Sequence, residues 1–451
     1  MIGLALLCTL AAGVSAQEPD YSYPAAPLDV RVLKTERHGA VEVRDITFAG
    51  VNGKRIGAFS VVPPGTERAP AVLYVHWYAS SEPDSNRFEF LDEAVDLARR
   101  GQASLLIETM WSVPSWYVDR VQANDYAASV DQVKNIRRAL DVLAAEPRVD
   151  RDRIALVGHD FGGMYGTLAA ATDPRVKALT IMAATTSFSD WYMYGKFRLD
   201  GEAQKEYVSK MAPLDPVKYM AKITVPVLMQ FAQFDFYVPR EKILAFRKAL
   251  PNSKPALTYD AGHGLDWQAA RDRKAFLIDF FKLKMESSDV IHAYLAARET
   301  GDAAKIEAFH TPDFREMFVG NPGGDLAERK NYFEFDKAVH GHFEYRILET
   351  AKDSVTMDVY ESNDFFEALG CGVRRERTVF RMRDGKIREM DVTSIFDARK
   401  SCSEARKAFV LWAEKERPTE AAKFLAKGRL QMTAAAAAPM VALAKEWAKQ
   451  Q

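Results

Sequence analysis

The chain has 451 residues, 48% of them hydrophobic, with 61 Lys plus Arg against 62 Asp plus Glu and a net charge of −1. That length exceeds one ordinary domain, and the hydrophobic content excludes general disorder. The charge balance, with basic stretches such as 374–377 broken by acids, argues against a nucleic-acid partner.

Residues 1–16 form an apolar run that ends in small residues, with Ser15 and Ala16 just before the polar Gln17-Glu18-Pro19-Asp20. This pattern predicts a secretory signal peptide cleaved after Ala16 and a mature protein in the periplasm or outside the cell. The run falls short of the ~18 apolar residues of a membrane span, so no membrane attachment is expected after processing. Only Cys371 and Cys402 remain in the mature chain. Their pairing stays open: two cysteines make no disulfide framework, and neither has metal-ligand spacing.

Residues 17–286 read as one domain in which short apolar runs alternate with amphipathic stretches. Residues 41–48 and 55–62 predict a hairpin turned at Val51-Asn52-Gly53. Residues 71–75 are continuously apolar, as in a strand buried on both faces. Further strands are expected at 103–107, 153–157, 176–182, 225–231 and 256–259. Helices are expected at 88–100, 125–143, 161–171, 240–249 and 267–284. This alternation predicts an α/β fold with a mostly parallel sheet.

The pattern changes near Ser287. Helical stretches at 290–297 and 303–309 are followed by long alternating strands at 343–350, 354–362, 373–383 and 386–394. The last two meet at Asp384-Gly385, a strong hairpin-turn dipeptide. Residues 287–400 therefore predict a separate α+β domain, and 401–451 an Ala-rich helical extension.

The segment Gly158-His159-Asp160-Phe161-Gly162-Gly163 follows a strand and opens a helix. That is the setting of a nucleophile elbow, in which a strained turn lifts one side chain above the sheet edge. Here the lifted residue is Asp160 rather than the usual serine. The helix N-terminus beside it favours an ionised carboxylate. The partners follow in the expected order: Asp235 after the strand at 225–231, then His263 in Asp260-Ala261-Gly262-His263-Gly264. The loop of His76, Trp77 and Tyr78 should supply an oxyanion donor, with the Phe161 N–H as the other. Asp190 is an alternative acid, and Asp260 reads as a turn residue.

At these residues the chain resembles an α/β-hydrolase over about 31–284, with strand order similar to dienelactone hydrolases and prolyl-oligopeptidase-type esterases. Its elbow resembles that of epoxide hydrolases and haloalkane dehalogenases, which carry Asp followed by an aromatic residue. Residues 287–398 resemble the SnoaL-like, nuclear-transport-factor-2-like cone. Two features depart from these relatives. The stretch between Thr185 and Val225 is too short for a full helical cap, and Trp77 stands where most relatives have Gly. The cone resemblance implies an apolar pocket or a homodimer surface, with His340, His342, Glu344, Tyr360 and Arg377 as candidate lining residues.

A carboxylate attacking an ester gives a high-energy anhydride, whereas attack on an sp³ carbon gives an ordinary ester that His263 and water can hydrolyse. Asp160 therefore points to a small-molecule epoxide, alkyl halide or similar electrophile, with no cofactor or metal. The leaving atom needs a donor, and Tyr78, Trp111, Trp116, Tyr117, Trp191, Tyr192 and Tyr194 are candidates. A dienelactone-type esterase or lactonase, and a non-catalytic binding protein that lost its serine, are the alternatives.

Overall fold

The computed structural model describes residues 18–450 apart from 66, 82–85, 251–255, 319–320, 324–325, 352, 372, 395–401 and 427. The signal-peptide reading lies outside the described residues. The chain divides into two compact units after Lys284, close to the boundary expected at 286.

The first unit is built on nine strands: β1 (Arg31–His38), β2 (Val41–Ala49), β3 (Arg55–Val62), β4 (Ala69–Val75), β5 (Ala103–Ile107), β6 (Val149–His159), β7 (Val176–Met182), β8 (Val227–Ala232) and β9 (Leu257–Tyr259). They lie in the order β1-β2-β3-β5-β4-β6-β7-β8-β9. The β1-β2, β2-β3 and β3-β5 pairs are antiparallel and the rest are parallel. The helices are α1 (Leu91–Arg99), α2 (Trp116–Asp119), α3 (Asp125–Ala145), α4 (Phe161–Thr172), α5 (Phe188–Tyr192), α6 (Gly201–Met211), α7 (Pro216–Tyr219), α8 (Arg240–Ala249) and α9 (Trp267–Phe281).

Strand β4 explains the layering. Every residue is buried. Ala71, Leu73 and Val75 face the core that contains α3 and α4, while Val72 and Tyr74 face the core that contains α1 and α9. Helices cover both faces, so its sequence carries no polar alternation. Strand β1 was not expected from the sequence. It is an edge strand exposed along its whole length, so burial imposes no period on it.

The second unit holds α10 (Ser287–Thr300), α11 (Ala303–Glu307), β10 (His310–Phe318), β11 (Asn321–Pro322), α12 (Leu326–Ala338), β12 (His342–Ala351), β13 (Ser354–Ser362), α13 (Asp364–Ala368), β14 (Val373–Arg383) and β15 (Lys386–Ser394). The sheet order is β11-β10-β15-β14-β13-β12, antiparallel except for β10 with β15. Asp384 and Gly385 both have positive φ, at 53° and 72°, and close the β14–β15 hairpin as a two-residue turn. One core packs Tyr294 and Leu295 of α10 and Phe333 of α12 against Phe343, Val359 and Phe380 of the sheet.

The tail comprises α14 (Cys402–Glu416), α15 (Pro418–Ala421), a two-strand ribbon of β16 (Leu425–Ala426) and β17 (Arg429–Leu430), and α16 (Ala434–Ala448). It belongs to this unit rather than standing apart. Phe409, Met440 and Trp447 share a second core with Phe335 of α12 and Phe365 of α13. A Cys371–Cys402 disulfide with a Cα–Cα distance of 5.2 Å fastens the start of the tail.

Candidate active site

Strand β6 ends at His159 and α4 begins at Phe161, leaving Asp160 alone at the turn with φ 56° and ψ −121°. A non-glycine residue in that region is strained, and such strain persists where surrounding packing enforces it. The packing here is close. A Cβ on Gly158 would run into the Gly162 carbonyl, and a Cβ on Gly162 into the Val75 carbonyl. The two glycines let β6, α4 and β4 approach until the elbow has no alternative path. Asp160 is 4% exposed and its N–H donates to the Met182 carbonyl at 2.9 Å.

The Asp160 carboxylate points its two oxygens at different partners. Oδ2 accepts the Tyr78 N–H at 2.8 Å. Oδ1 stands 3.6 Å from His263 Nε2, an ion-pair distance too long for a direct hydrogen bond. On its other side, His263 Nδ1 meets Asp235 Oδ2 at 2.8 Å. Asp235 Oδ1 accepts the N–H groups of Tyr237 and Val238 at 2.8 and 3.1 Å, which fixes the acid in its loop. Burial pulls the His263 pKa down, but the hydrogen bond to Asp235 and the charges of Asp160 and Asp235 outweigh it and push the imidazole up to about 9.

The structure therefore brings Asp160, His263 and Asp235 together. Asp190 sits elsewhere, accepting from Thr185 at 2.8 Å and pairing with Lys242 at 2.8 Å. The oxyanion loop differs from expectation at one residue. The Trp77 N–H donates to Glu89 Oε2 at 2.8 Å, so the N–H that reaches Asp160 is that of Tyr78. Phe161 opens α4 and its ring packs against Trp116 and Trp191.

Most of the aromatic candidates for a leaving-group donor are already engaged. Tyr78 donates to the Pro114 carbonyl and Trp111 to the His76 carbonyl. Tyr117 donates to the Trp191 carbonyl, Trp191 to the Tyr237 carbonyl, and Tyr192 bonds Tyr165. Trp116, 5.4 Å from both Tyr78 and Phe161 by ring centroids, and the exposed Tyr194 have no such hydrogen bond among the described residues. Between β7 and β8, only α5, α6, α7 and single 3-10 turns occupy the place of a cap. Arg120 anchors them. It pairs with Asp125, itself bonded to the Tyr207 hydroxyl at 2.6 Å, and lies over the rings of Tyr117, Tyr192 and Phe197.

His76, at the end of β4, is structural. Nδ1 meets the Trp77 carbonyl at 2.7 Å and Nε2 meets Ser112 Oγ at 2.8 Å, and burial holds its pKa down at about 3. Among the described residues no His, Cys, Asp or Glu cluster gathers as a metal site. No helix among them is long and apolar enough to cross a membrane.

The second unit holds an open pocket of about 450 Å³. Its lining includes Arg298, Glu316, Phe343, Glu361, Arg374 and Phe380. The five residues expected there are not in the lining: His342, Glu344, Tyr360 and Arg377 fall on the opposite face of the sheet, and His340 lies in the turn between α12 and β12. On β12, Phe343 and Tyr345 are buried while His342 and Glu344 are exposed. On β13 and β14, Glu361 and Glu376 line the cavity, while Tyr360 and Arg377, one residue removed, do not. A strand alternates faces with period two, so an error of one position inverts the assignment.

The family comparison falls almost wholly on the first unit. The prolyl oligopeptidase family matches residues 121–288, which include the elbow, Asp235 and His263. A polyketide transferase of Aspergillus fumigatus is 30% identical over 156 residues, 34% of this chain and 50% of that protein. The acylamino-acid-releasing enzyme of Mus musculus is 26% identical over 132 residues, 26% of this chain and 18% of that protein. The chain thus spans half or less of the length of these relatives. Acetyl xylan esterase 1 from Thermoanaerobacterium sp. JW/SL YS485 superposes with a TM-score of 0.49 at 18% identity, covering 57% of this chain and 89% of that one.

Proposed function

We propose, from the premise that the first unit is an α/β-hydrolase superfamily enzyme, that it hydrolyses a carbon electrophile through an alkyl ester on Asp160. The observation that carries this reading is the position of Asp160 Oδ2 on the Tyr78 N–H. In a serine hydrolase that donor would await the substrate's oxygen. Here it holds an oxygen of the nucleophile itself.

The chemistry then follows from the two oxygens. Oδ1 attacks an sp³ carbon of an epoxide, alkyl halide or similar substrate, and the bond from that carbon to the leaving oxygen or halide breaks with its electron pair. Oδ2 becomes the ester carbonyl, already on its donor. Esterification removes the Asp160 charge that helps hold His263 protonated, so the imidazole gives up its proton, to the alkoxide of an opened epoxide or to solvent when a halide leaves, and becomes a base. His263 takes a proton from water, the hydroxide attacks Cγ, and charge develops on Oδ2 against the Tyr78 N–H. Collapse expels the alcohol, which carries the former Oδ1 and takes the proton from His263; Asp160 retains the oxygen from water and passes its remaining proton to His263. Asp235 orients the imidazole throughout. Trp116 and Tyr194 are the remaining candidates to assist the leaving atom.

Single turnover in heavy-oxygen water tests the route: the label should enter the Asp160 side chain. Label in the product alone rejects the ester. The match of residues 121–288 to the prolyl oligopeptidase family favours a second reading, an esterase or lactonase in which Asp160 acts as a base or forms an anhydride. Product-only label supports it. A non-catalytic binding protein would turn over none of an epoxide, haloalkane and aryl-ester panel.

We also propose export through the signal peptide at 1–16. The Cys371–Cys402 disulfide supports an oxidising compartment. The second unit is proposed as a SnoaL-like cone, a reading supported by its mostly antiparallel, helix-covered sheet and the pocket it carries.

A further inference from the structure

Behind the triad lies a second histidine–acid pair. His159, the residue before Asp160, is 1% exposed. Its Nδ1 lies 2.6 Å from Glu89 Oε1 and its Nε2 lies 3.1 Å from the main-chain carbonyl oxygen of His263. The carbonyl is an acceptor, so Nε2 donates to it, while Nδ1 shares a proton with the Glu89 carboxyl group. Glu89 Oε2 also accepts the Trp77 N–H at 2.8 Å. The Trp77 indole lies flat over the His159 ring, 5.1 Å between centroids and 3° between planes.

The pair touches three loops, each next to a working atom. Trp77 precedes Tyr78, whose N–H holds Asp160 Oδ2. His159 precedes Asp160, and the carbonyl it binds belongs to His263. Glu89 comes from the turn before α1 and contributes to none of the three directly. We propose that Glu89 and His159 are positioning residues: a hydrogen-bonded tie that sets the distance between the oxyanion donor, the nucleophile and the base.

The proposal rests on His263 acting as the base but not on Asp160 acting as the nucleophile, and its first test needs no substrate. In full-length protein labelled with ¹⁵N-histidine, the ring resonances of His159 are assigned by their loss in His159→Gln. Glu89→Gln should shift the ring resonances of His159 and of His263 together, because the tie runs to the His263 main chain. His263 resonances left unmoved overturn the proposal. The second test is kinetic, on an electrophile found by screening. Glu89→Gln should lower kcat by about tenfold or more with KM changed less than about twofold, as expected when reacting groups are displaced without loss of binding. Glu89→Asp, which keeps the charge, should restore most of the rate. A Glu89→Gln enzyme with unaltered kcat, or one that Glu89→Asp does not rescue, overturns the positioning role whatever the labelling of Asp160 shows.

Discussion

Both units bury carboxylates beside cationic groups, yet the two arrangements have opposite consequences. In the second unit three buried acids are matched to arginines. Arg298 pairs with Asp336, and Arg374 with Glu361 and Glu376 at 3.2 and 2.8 Å. Burial pushes the Asp336 pKa up, against the pull of Arg298. Arginine does not release its proton, so such pairs are fixed charges. In the first unit two carboxylates share one imidazole, and one of them keeps an oxygen on a backbone N–H. That arrangement can exchange protons, because histidine titrates in the physiological range. Buried charge alone is thus no mark of a reactive centre. The distinguishing feature is a titratable partner with an oxygen left over for chemistry.

The largest expected effect divides the two regions. Asp160→Ala and His263→Ala should each lower turnover on the order of 10³-fold or more, and His263→Ala should accumulate an adduct on Asp160 visible by intact-protein mass spectrometry. Asp235→Asn should slow ester hydrolysis more than alkylation, because it disturbs the imidazolium and not the nucleophile. Glu316→Gln, in the wall of the second cavity, should leave turnover within about twofold. Turnover that survives Asp160→Ala would collapse the contrast and move the search to the second unit.

The second effect is on stability. Asp336 is fully buried and the Arg298 side chain only 12% exposed, so Asp336→Asn leaves a buried cation without its counter-charge. A loss of about 3–5 kcal/mol is expected in the unfolding transition of the second unit, measured by calorimetry. The double change Arg298→Met, Asp336→Leu should recover much of it, since an apolar pair carries no desolvation penalty. No recovery in the double variant would mean the pair is not the fixed charge described above.

The third effect depends on pH and belongs to the first unit. His263 has its pKa raised from 6.5 to about 9 in the folded state. The protonated form is therefore stabilised by folding, and this contribution is complete below about pH 6.5 and is lost as pH rises toward 9. It amounts to something on the order of 3 kcal/mol. Melting temperature between pH 6 and 9.5 should fall more steeply in the unsubstituted protein than in His263→Ala. Parallel curves would show that the acids do not hold the imidazole charged.

The sequence by itself determined the α/β layering and the three side chains, Asp160, Asp235 and His263, that meet at the elbow. Those features have local causes: a strand buried on both faces is apolar throughout, and an elbow needs its glycines beside the lifted residue. The Asp384-Gly385 hairpin was legible for the same reason, since only residues tolerant of positive φ fit there. Tertiary structure decided the rest. Edge strand β1 carries no burial period, so nothing in its composition announced it. The cavity wall on β12, β13 and β14 turned on one step of register, which the alternation alone does not fix. The Trp77 N–H was diverted by Glu89, 12 residues along the chain, and Glu89 reached His159 across 70. No local pattern encodes such meetings. They depend on where the sheet brings separate loop ends together, and on which donors find a buried acceptor when water is excluded.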